Sequence, residues 1–349
     1  MGKCFACGVG NAAQEIWKEC RMSTPLKSPL ESYDLPEIAG SYRFDAALGA
    51  KGWFKTGGNA DVMVCPEDSA DLQAFLKAYP ADLPLHIFGV ASNTIIRDGG
   101  VSGVTIKLNR AFNYIEREGV DKLRCGALAL DMNVAQKAAQ FGLSGLSFLS
   151  GIPGTIGGAL KMNAGAYGRE VVDCLECLRG IDRDGNIHEL SVDDMRYTYR
   201  HSAPDKELVF VEAVFNATTG DPEIIKGEIA DIRAKREASQ PIKEKTGGST
   251  FANPSSADLQ AAGLDPSWGS WRLIDAVDGR GFTIGGAQMS EKHCNFMINA
   301  GDASAFDLEC LGEEMRRRVF EKFGITLRWE IRRIGRYADG QAPLDNWID

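Results

Sequence analysis

No run of 18 apolar residues occurs in this chain, so the sequence offers no segment that reads as a membrane-spanning helix. There is no excess of basic residues either. The 39 Lys and Arg stand against 48 Asp and Glu, a formal charge of -9. That argues against general nucleic-acid binding, which draws its affinity from cations replacing counterions on phosphates. Histidine is scarce: four residues, at 86, 188, 201 and 293, with no HExxH spacing for a metal. The dinucleotide fingerprint GxGxxG, the phosphate loop GxxxxGK[ST] and the nucleophile elbow GxSxG are all missing, so a Rossmann site, a P-loop and a Ser-His-Asp hydrolase each lack their signature. The opening Met1-Gly2-Lys3-Cys4-Phe5-Ala6-Cys7 lacks the apolar stretch of a signal peptide, and a cytoplasmic protein is expected. The nine cysteines are odd in number and scattered, which reads as reduced thiols rather than a disulfide framework. Two CxxC pairs occur, Cys4/Cys7 and Cys174/Cys177. The second lies in an expected strand over 171–178, where positions i and i+3 face opposite sides, so no metal site is expected.

What the chain has in quantity is glycine, concentrated in two loops. Leu149-Ser150-Gly151-Ile152-Pro153-Gly154-Thr155-Ile156-Gly157-Gly158-Ala159 runs on to Asn163-Ala164-Gly165-Ala166-Tyr167-Gly168. An earlier loop is Gly89-Val90-Ala91-Ser92-Asn93, followed by Asp98-Gly99-Gly100 and Gly103. Glycine is used where backbone turns sharply or approaches another group closely. One such loop is most simply a tight connection. Two of them, carrying Ser, Thr and Asn, point to a phosphate-bearing ligand held by main-chain N–H groups.

With 44% hydrophobic and 25% charged residues, 349 residues can bury a sizeable core, in two or three domains. A β/α pattern begins near Trp53. Strands are expected at 61–65, 85–88 and 104–108, with a helix over 68–78 whose Leu72, Phe75 and Leu76 share one face. A second helix is expected over 131–141, with Asp131 as its N-cap and Gly142 ending it. Asp184-Gly185 marks a hairpin between strands, and Pro222 to Ser239 reads as a charged helix stopping before Pro241. Further helices are expected near 255–262, 268–277 and 304–323, with strands at 294–299 and 327–334. The corresponding division is a disordered leader over 1–23, with Met22 as an alternative start, then units over 24–106, 107–235 and 236–335, and a tail over 336–349.

Three polar groupings are candidates for chemistry. Tyr197-Thr198-Tyr199-Arg200-His201-Ser202 offers a guanidinium fork able to grip a carboxylate, although such clusters are most often solvent-facing. Lys245 to Pro254 sets Ser249 behind a Gly-Gly pair, equally consistent with a plain surface loop. Glu330 sits between Trp329 and Ile331. In the default reading it faces solvent; if buried, its pKa is raised and it becomes a catalytic candidate.

These pieces stand in an order that resembles one family. Trp53-Phe54-Lys55-Thr56-Gly57-Gly58-Asn59-Ala60-Asp61, the two glycine loops, Tyr199-Arg200, Gly248-Ser249-Thr250-Phe251, Asn253-Pro254, Gly285-Gly286-Ala287, His293-Cys294-Asn295-Phe296 and Trp329-Glu330 resemble the UDP-N-acetylenolpyruvoylglucosamine reductases of peptidoglycan precursor synthesis. The likeness runs from about residue 40 to 335. It implies an α+β fold of the vanillyl-alcohol-oxidase type, with two subdomains clasping FAD and a C-terminal substrate domain. It further implies non-covalent FAD reduced by NADPH, and a UDP-sugar substrate in the same cleft. Cofactor contacts are implied at Thr56, Gly57, Gly58, Gly89, Val90, Ala91, Ser92, Asn93, Gly154, Thr155, Gly157 and Gly158. Substrate contacts are implied at Tyr167, Tyr199, Asn253, Arg280 and His293, and catalytic roles at Arg200, Ser249 and Glu330. The span from Arg200 to Ser249 is too short for the extra tyrosine-bearing loop of the longer subgroup, and Ser239 stands where other members can carry lysine, leaving the diphosphate to Arg280, Lys243 or Lys245. A monomer is expected. Two other readings fit parts of the pattern: an oxidase or dehydrogenase of the same flavin fold, and a non-catalytic scaffold that keeps the fold. The combination of Arg200, Ser249 and Glu330 argues against both.

Overall fold

The computed structural model describes residues 35–344. The expected leader, Met22, the Cys4/Cys7 pair and the last five residues of the expected tail lie outside them. Among the described residues no helix is long and apolar enough to cross a membrane, and no cluster of three or more His, Cys, Asp or Glu could hold a metal.

A first sheet orders its strands Ser41–Ala46, Ala60–Cys65, Val101–Lys107 and Leu85–Phe88. The first pair is antiparallel and the others parallel. Its central strand Ala60–Cys65 is an almost continuous apolar run because both faces are covered. Helix α1 (Ser69–Ala78) packs Leu72, Phe75 and Leu76 into this core, and the Asp68 carboxylate caps it by accepting from Asp71 N–H.

A second, five-stranded antiparallel sheet runs Ile187–Ser191, Leu175–Asp182, Leu208–Asn216, Lys122–Gly126, Ile115–Glu118. The expected hairpin is there, with Gly185 at φ +79°. Helices α2 (Asp131–Phe141), α3 (Ile156–Met162) and α4 (Pro222–Ser239) belong to this half. Val209 and Val211 of this sheet enter the core of the first, which joins the two halves.

The third sheet orders Thr246–Ser249, Phe296–Asn299, Ala287–Met289 and Thr283–Ile284. It shares a core with α5 (Ser256–Ala261), α6 (Ser270–Ala276) and the long α7 (Ala305–Phe323), a core that also takes in Phe54 and Ile95 from the first lobe.

Three local expectations need correction. Gly142 ends α2 in the left-handed region as expected, but the N-cap is Leu130 and Asp131 is the first helical residue, its carboxylate capping nothing. The strand expected over 171–178 opens instead with a 3-10 turn at Val171–Asp173, so Cys174 precedes the strand and Cys177 lies inside it. The alternating segment 327–334 is not one strand. Trp329 makes an isolated bridge to Phe251, and only Arg332–Ile334 is strand, paired in parallel with Thr94–Ile96 of the first lobe. Alternation alone does not say which neighbour a strand will find.

Candidate active site

The two glycine loops and the third domain meet at one cavity of about 970 Å³, within the size range of cofactor sites. Residues 89–93 of the first loop and Gly151, Ile152, Pro153, Gly154, Thr155, Gly157 and Gly158 of the second line it. Several hydrogen bonds fix their geometry. Asp131 N–H donates to Gly154 O at 3.2 Å, Ile156 N–H to Ala129 O at 2.9 Å and Gly157 N–H to Ala127 O at 2.8 Å. Among the described residues, the N–H groups of Val90, Ala91, Ser92, Gly154 and Thr155 donate to no protein acceptor. The loops also fit closely: a side-chain carbon at Gly89 would come within 2.5 Å of Thr155 Oγ1.

Opposite the loops stand the three expected catalytic residues. Ser249 ends the strand Thr246–Ser249 and lines the cavity, as do Arg200 and Glu330. Glu330 N–H donates to Thr250 O at 2.9 Å, which puts the glutamate beside the serine strand. Asn93 Nδ2 donates to Glu330 O at 3.0 Å and Arg332 N–H to Asn93 O at 3.1 Å, so the same segment is stitched to the first glycine loop. Arg200 Nε lies 3.3 Å from Glu330 Oε1, its Nη1 lies 3.1 Å from Glu170 Oε1, and its Nη2 donates to Gly165 O at 2.8 Å. Arg200 is held at φ +57°, an uncommon backbone for a bulky residue, with its guanidinium over the Tyr199 ring. Glu330 is therefore not the solvent-facing residue of the default reading. Burial pushes its carboxyl above the usual range, with the Arg200 guanidinium pulling the other way.

Other expected contacts stand elsewhere. Thr56, Gly57 and Gly58 do not line the cavity: Gly58 N–H bonds Arg97 O, and a side chain at Gly57 would strike Ile96 O. Asn253 is outside it, its Oδ1 accepting from Ser270 N–H. His293 packs against Phe296 and Trp271, away from the lining, and burial lowers its pKa. Arg280 Nε is bound to Asp275 Oδ1 at 2.8 Å and its Nη1 to Glu291 O, so its charge is already paired on the third domain. Tyr199 is exposed, its ring against the Arg200 guanidinium, and is not part of the wall. Tyr167 does line the cavity, its hydroxyl donating to Ile232 O of α4 at 3.2 Å.

The residues that sequence reasoning missed are cationic or buried. Arg236, in the last turn of α4, lines the cavity beside Tyr167 and bonds only Gln240 Oε1. Burial lowers its pKa, and among the described residues it has no carboxylate partner. Arg233, Lys235, Lys161 and Arg332 join it in the lining. The charged face of the helix was visible in the sequence; which arginine turned inward was not. His86 also lines the cavity, and burial lowers its pKa.

Comparison with known proteins accounts for this arrangement. A family model described as the C-terminal domain of UDP-N-acetylenolpyruvoylglucosamine reductase matches residues 240–334, and an FAD binding domain model matches residues 60–191. A UDP-N-acetylenolpyruvoylglucosamine reductase of Parvibaculum lavamentivorans is 52% identical over 301 residues, 86% of this chain and 93% of the relative. The chain belongs to the UDP-N-acetylenolpyruvoylglucosamine reductase family. A second reductase of this name, from Bradyrhizobium sp., is 48% identical over 315 residues, 90% of this chain and 99% of the relative. The crystal structure of the reductase from Thermus caldophilus superposes with a TM-score of 0.70 at 29% identity, covering 86% of this chain and all of that one. The fold is accordingly the expected α+β FAD-binding type with a C-terminal domain, and FAD is the cofactor of this reductase. The residues present fit it: unpartnered amides on two loops, with Arg236 lacking a carboxylate partner beside the same cavity, suit an anionic dinucleotide.

Proposed function

We propose that this reductase converts UDP-N-acetylglucosamine enolpyruvate to UDP-N-acetylmuramate, with Arg200, Ser249 and Glu330 handling charge and proton on the sugar substrate. The observation that carries the reading is the convergence of these three residues and both glycine loops on one cavity. FAD, when bound, supplies the hydride, which it takes from NADPH and gives to the terminal carbon of the enol ether.

That addition leaves negative charge on the adjacent carbon, spread into the substrate carboxylate. The Arg200 guanidinium, already oriented by Glu170 and Gly165 O, is preorganised to bear on that charge. The Ser249 hydroxyl delivers a proton to the carbon, because a carbanion-like species is basic enough to take it. Glu330, whose carboxyl burial raises against the pull of Arg200, stands near the same point and supports Ser249 or the carboxylate. Arg236, half-buried without a carboxylate partner, meets the diphosphate of the UDP-sugar, a role its surroundings favour over the already paired Arg280. Of the described residues, those up to 106 and 107–235 form the two FAD-clasping units and 236–335 the substrate unit, with the strand Arg332–Ile334 crossing back to the first.

The experiment is sequential. Anaerobic addition of NADPH bleaches the flavin absorbance, and addition of the UDP-sugar restores it. A flavin that bleaches but regains colour only with oxygen or another acceptor places the chain among the oxidases or dehydrogenases of the fold. A chain that holds no flavin removes the reading.

A further inference from the structure

Asp131 is fully buried, and neither carboxylate oxygen has a hydrogen-bond partner. It is also part of the cavity wall. Its setting is the seam between the loops. Its main-chain N–H holds Gly154 O, and a side-chain carbon at Gly154 would lie 2.9 Å from Asp131 Oδ2 and 3.5 Å from Ser92 Oγ. The carboxyl, the second loop and the first loop's serine therefore meet at one point, and among the described residues the amides of Val90, Ala91, Ser92, Gly154 and Thr155 on these same two loops have no protein acceptor.

An orphaned buried carboxyl costs stability, so the site is built for something that satisfies it. The Ser92 hydroxyl and the unpartnered Gly154 N–H at this point can both donate, which suits a ligand group rich in acceptors. An ionised carboxylate among phosphoryl oxygens is a like-charge contact; a neutral carboxyl is one more donor. We infer that Asp131 is a cofactor-binding residue that stays protonated and donates its O–H to an oxygen of the dinucleotide's diphosphate. Burial pushes its pKa well above the carboxylate range. The titratable neighbour is the Cys125 thiol of the strand Lys122–Gly126, itself pushed up by burial and then by Asp131, so it brings no cation that would ionise the acid. Gly154 and Ser92 face the carboxyl from the two loops and are uncharged. The inference rests on the FAD reading, and it adds a residue and a protonation state to it.

The test is FAD affinity of the flavin-stripped full chain, followed by flavin fluorescence from pH 6 to 9, for the parent, Asp131→Asn and Asp131→Ala. Loss of a hydrogen bond to a charged acceptor predicts binding about tenfold to a hundredfold weaker in Asp131→Ala. Asp131→Asn keeps a donor of the same shape and stays within about threefold of the parent at pH 6. Parent affinity holds or falls as pH rises, because binding requires the proton, whereas neither variant shows that component. ADP-ribose, used as a competitor, carries the diphosphate without the flavin and suffers the same penalty in Asp131→Ala; riboflavin, which has no phosphate, does not. Infrared spectra of the FAD-loaded parent contain a protonated-carboxyl band that Asp131→Asn lacks. Unchanged FAD affinity in Asp131→Ala, parent binding that tightens with rising pH, or an equal penalty with riboflavin each overturns the assignment. A parent that fails to bind FAD at all removes the flavin reading instead.

Discussion

Arg200 Nε and Glu330 Oε1 lie 3.3 Å apart although 130 residues separate them in the chain. The pair bridges the second sheet's lobe and the C-terminal domain across the cavity. Its two members pull against each other: burial raises the acid, and the guanidinium beside it lowers it. Removing Arg200 leaves Glu330 without its nearest cation, whereas removing Glu330 leaves Arg200 on Glu170, so the conservative variants Arg200→Lys and Glu330→Gln are the informative ones. Each slows oxidation of the reduced flavin by the UDP-sugar more than reduction by NADPH, as read by stopped-flow absorbance. The pH dependence has a defined sign. If neutral Glu330 is the working form, the sugar half-reaction of the parent declines as pH rises through the elevated pKa, and Glu330→Gln loses that limb. Identical pH profiles in the two proteins would dismiss the glutamate.

Ser249 is tested the same way. Ser249→Ala leaves FAD bound and the NADPH step intact, while the sugar step falls by about a thousandfold or more, because the proton donor acts only there. Ser249→Cys retains more activity than Ser249→Ala, since a thiol donates from nearly the same place. A Ser249→Ala enzyme that oxidises its reduced flavin with the UDP-sugar at the parent rate shows that another group is the acid.

The two arginines divide cleanly. Arg236→Ala raises the KM for the UDP-sugar by about tenfold or more, the scale of one charge-assisted hydrogen bond, while flavin reduction stays close to normal. Arg280→Ala breaks the Asp275 pair on the third domain and leaves that KM within about twofold. The opposite ranking in steady-state kinetics would return the diphosphate to Arg280.

A packing prediction concerns the support of Glu330. Gly312, inside α7, carries no side chain because Trp329 lies against it: an added carbon would fall 2.1 Å from Trp329 Cη2 and 2.3 Å from its Cζ2. Trp329 Nε1 also donates to Glu313 Oε1 at 2.7 Å, which locks the ring. In an exposed helix, Gly→Ala gains up to about 1 kcal/mol. Here Gly312→Ala costs about 1–3 kcal/mol through overpacking, seen as a lower Tm, and displaces Glu330 enough to slow the sugar step. A raised Tm would show that the ring yields freely.

Acid or heat releases yellow flavin from the precipitated chain, although His86 lines the cavity. Flavin retained on the denatured protein would make the attachment covalent and His86 the first residue to replace.

The sequence by itself determined the helices, most strands and the two glycine loops, because these follow from local periodicity and from where glycine is tolerated. Helix α7 and the Asp184-Gly185 hairpin stand where residue pattern put them. Motif order also carried the family and the cofactor, and it singled out Arg200, Ser249 and Glu330, which the fold brings to one cavity. Only the tertiary structure decided which charges face inward. Arg236 and Arg280 are both arginines near glycine or helix ends in the sequence, yet one lines the cavity half-buried without a carboxylate partner and the other is spent on Asp275. Asp131 reads locally as a helix cap and is instead an orphaned acid between two loops that lie far apart in the chain. The terminal strand's partner was likewise set by packing, with Arg332–Ile334 crossing to Thr94–Ile96. Burial and partnership depend on contacts across long sequence separations, which local propensity does not encode.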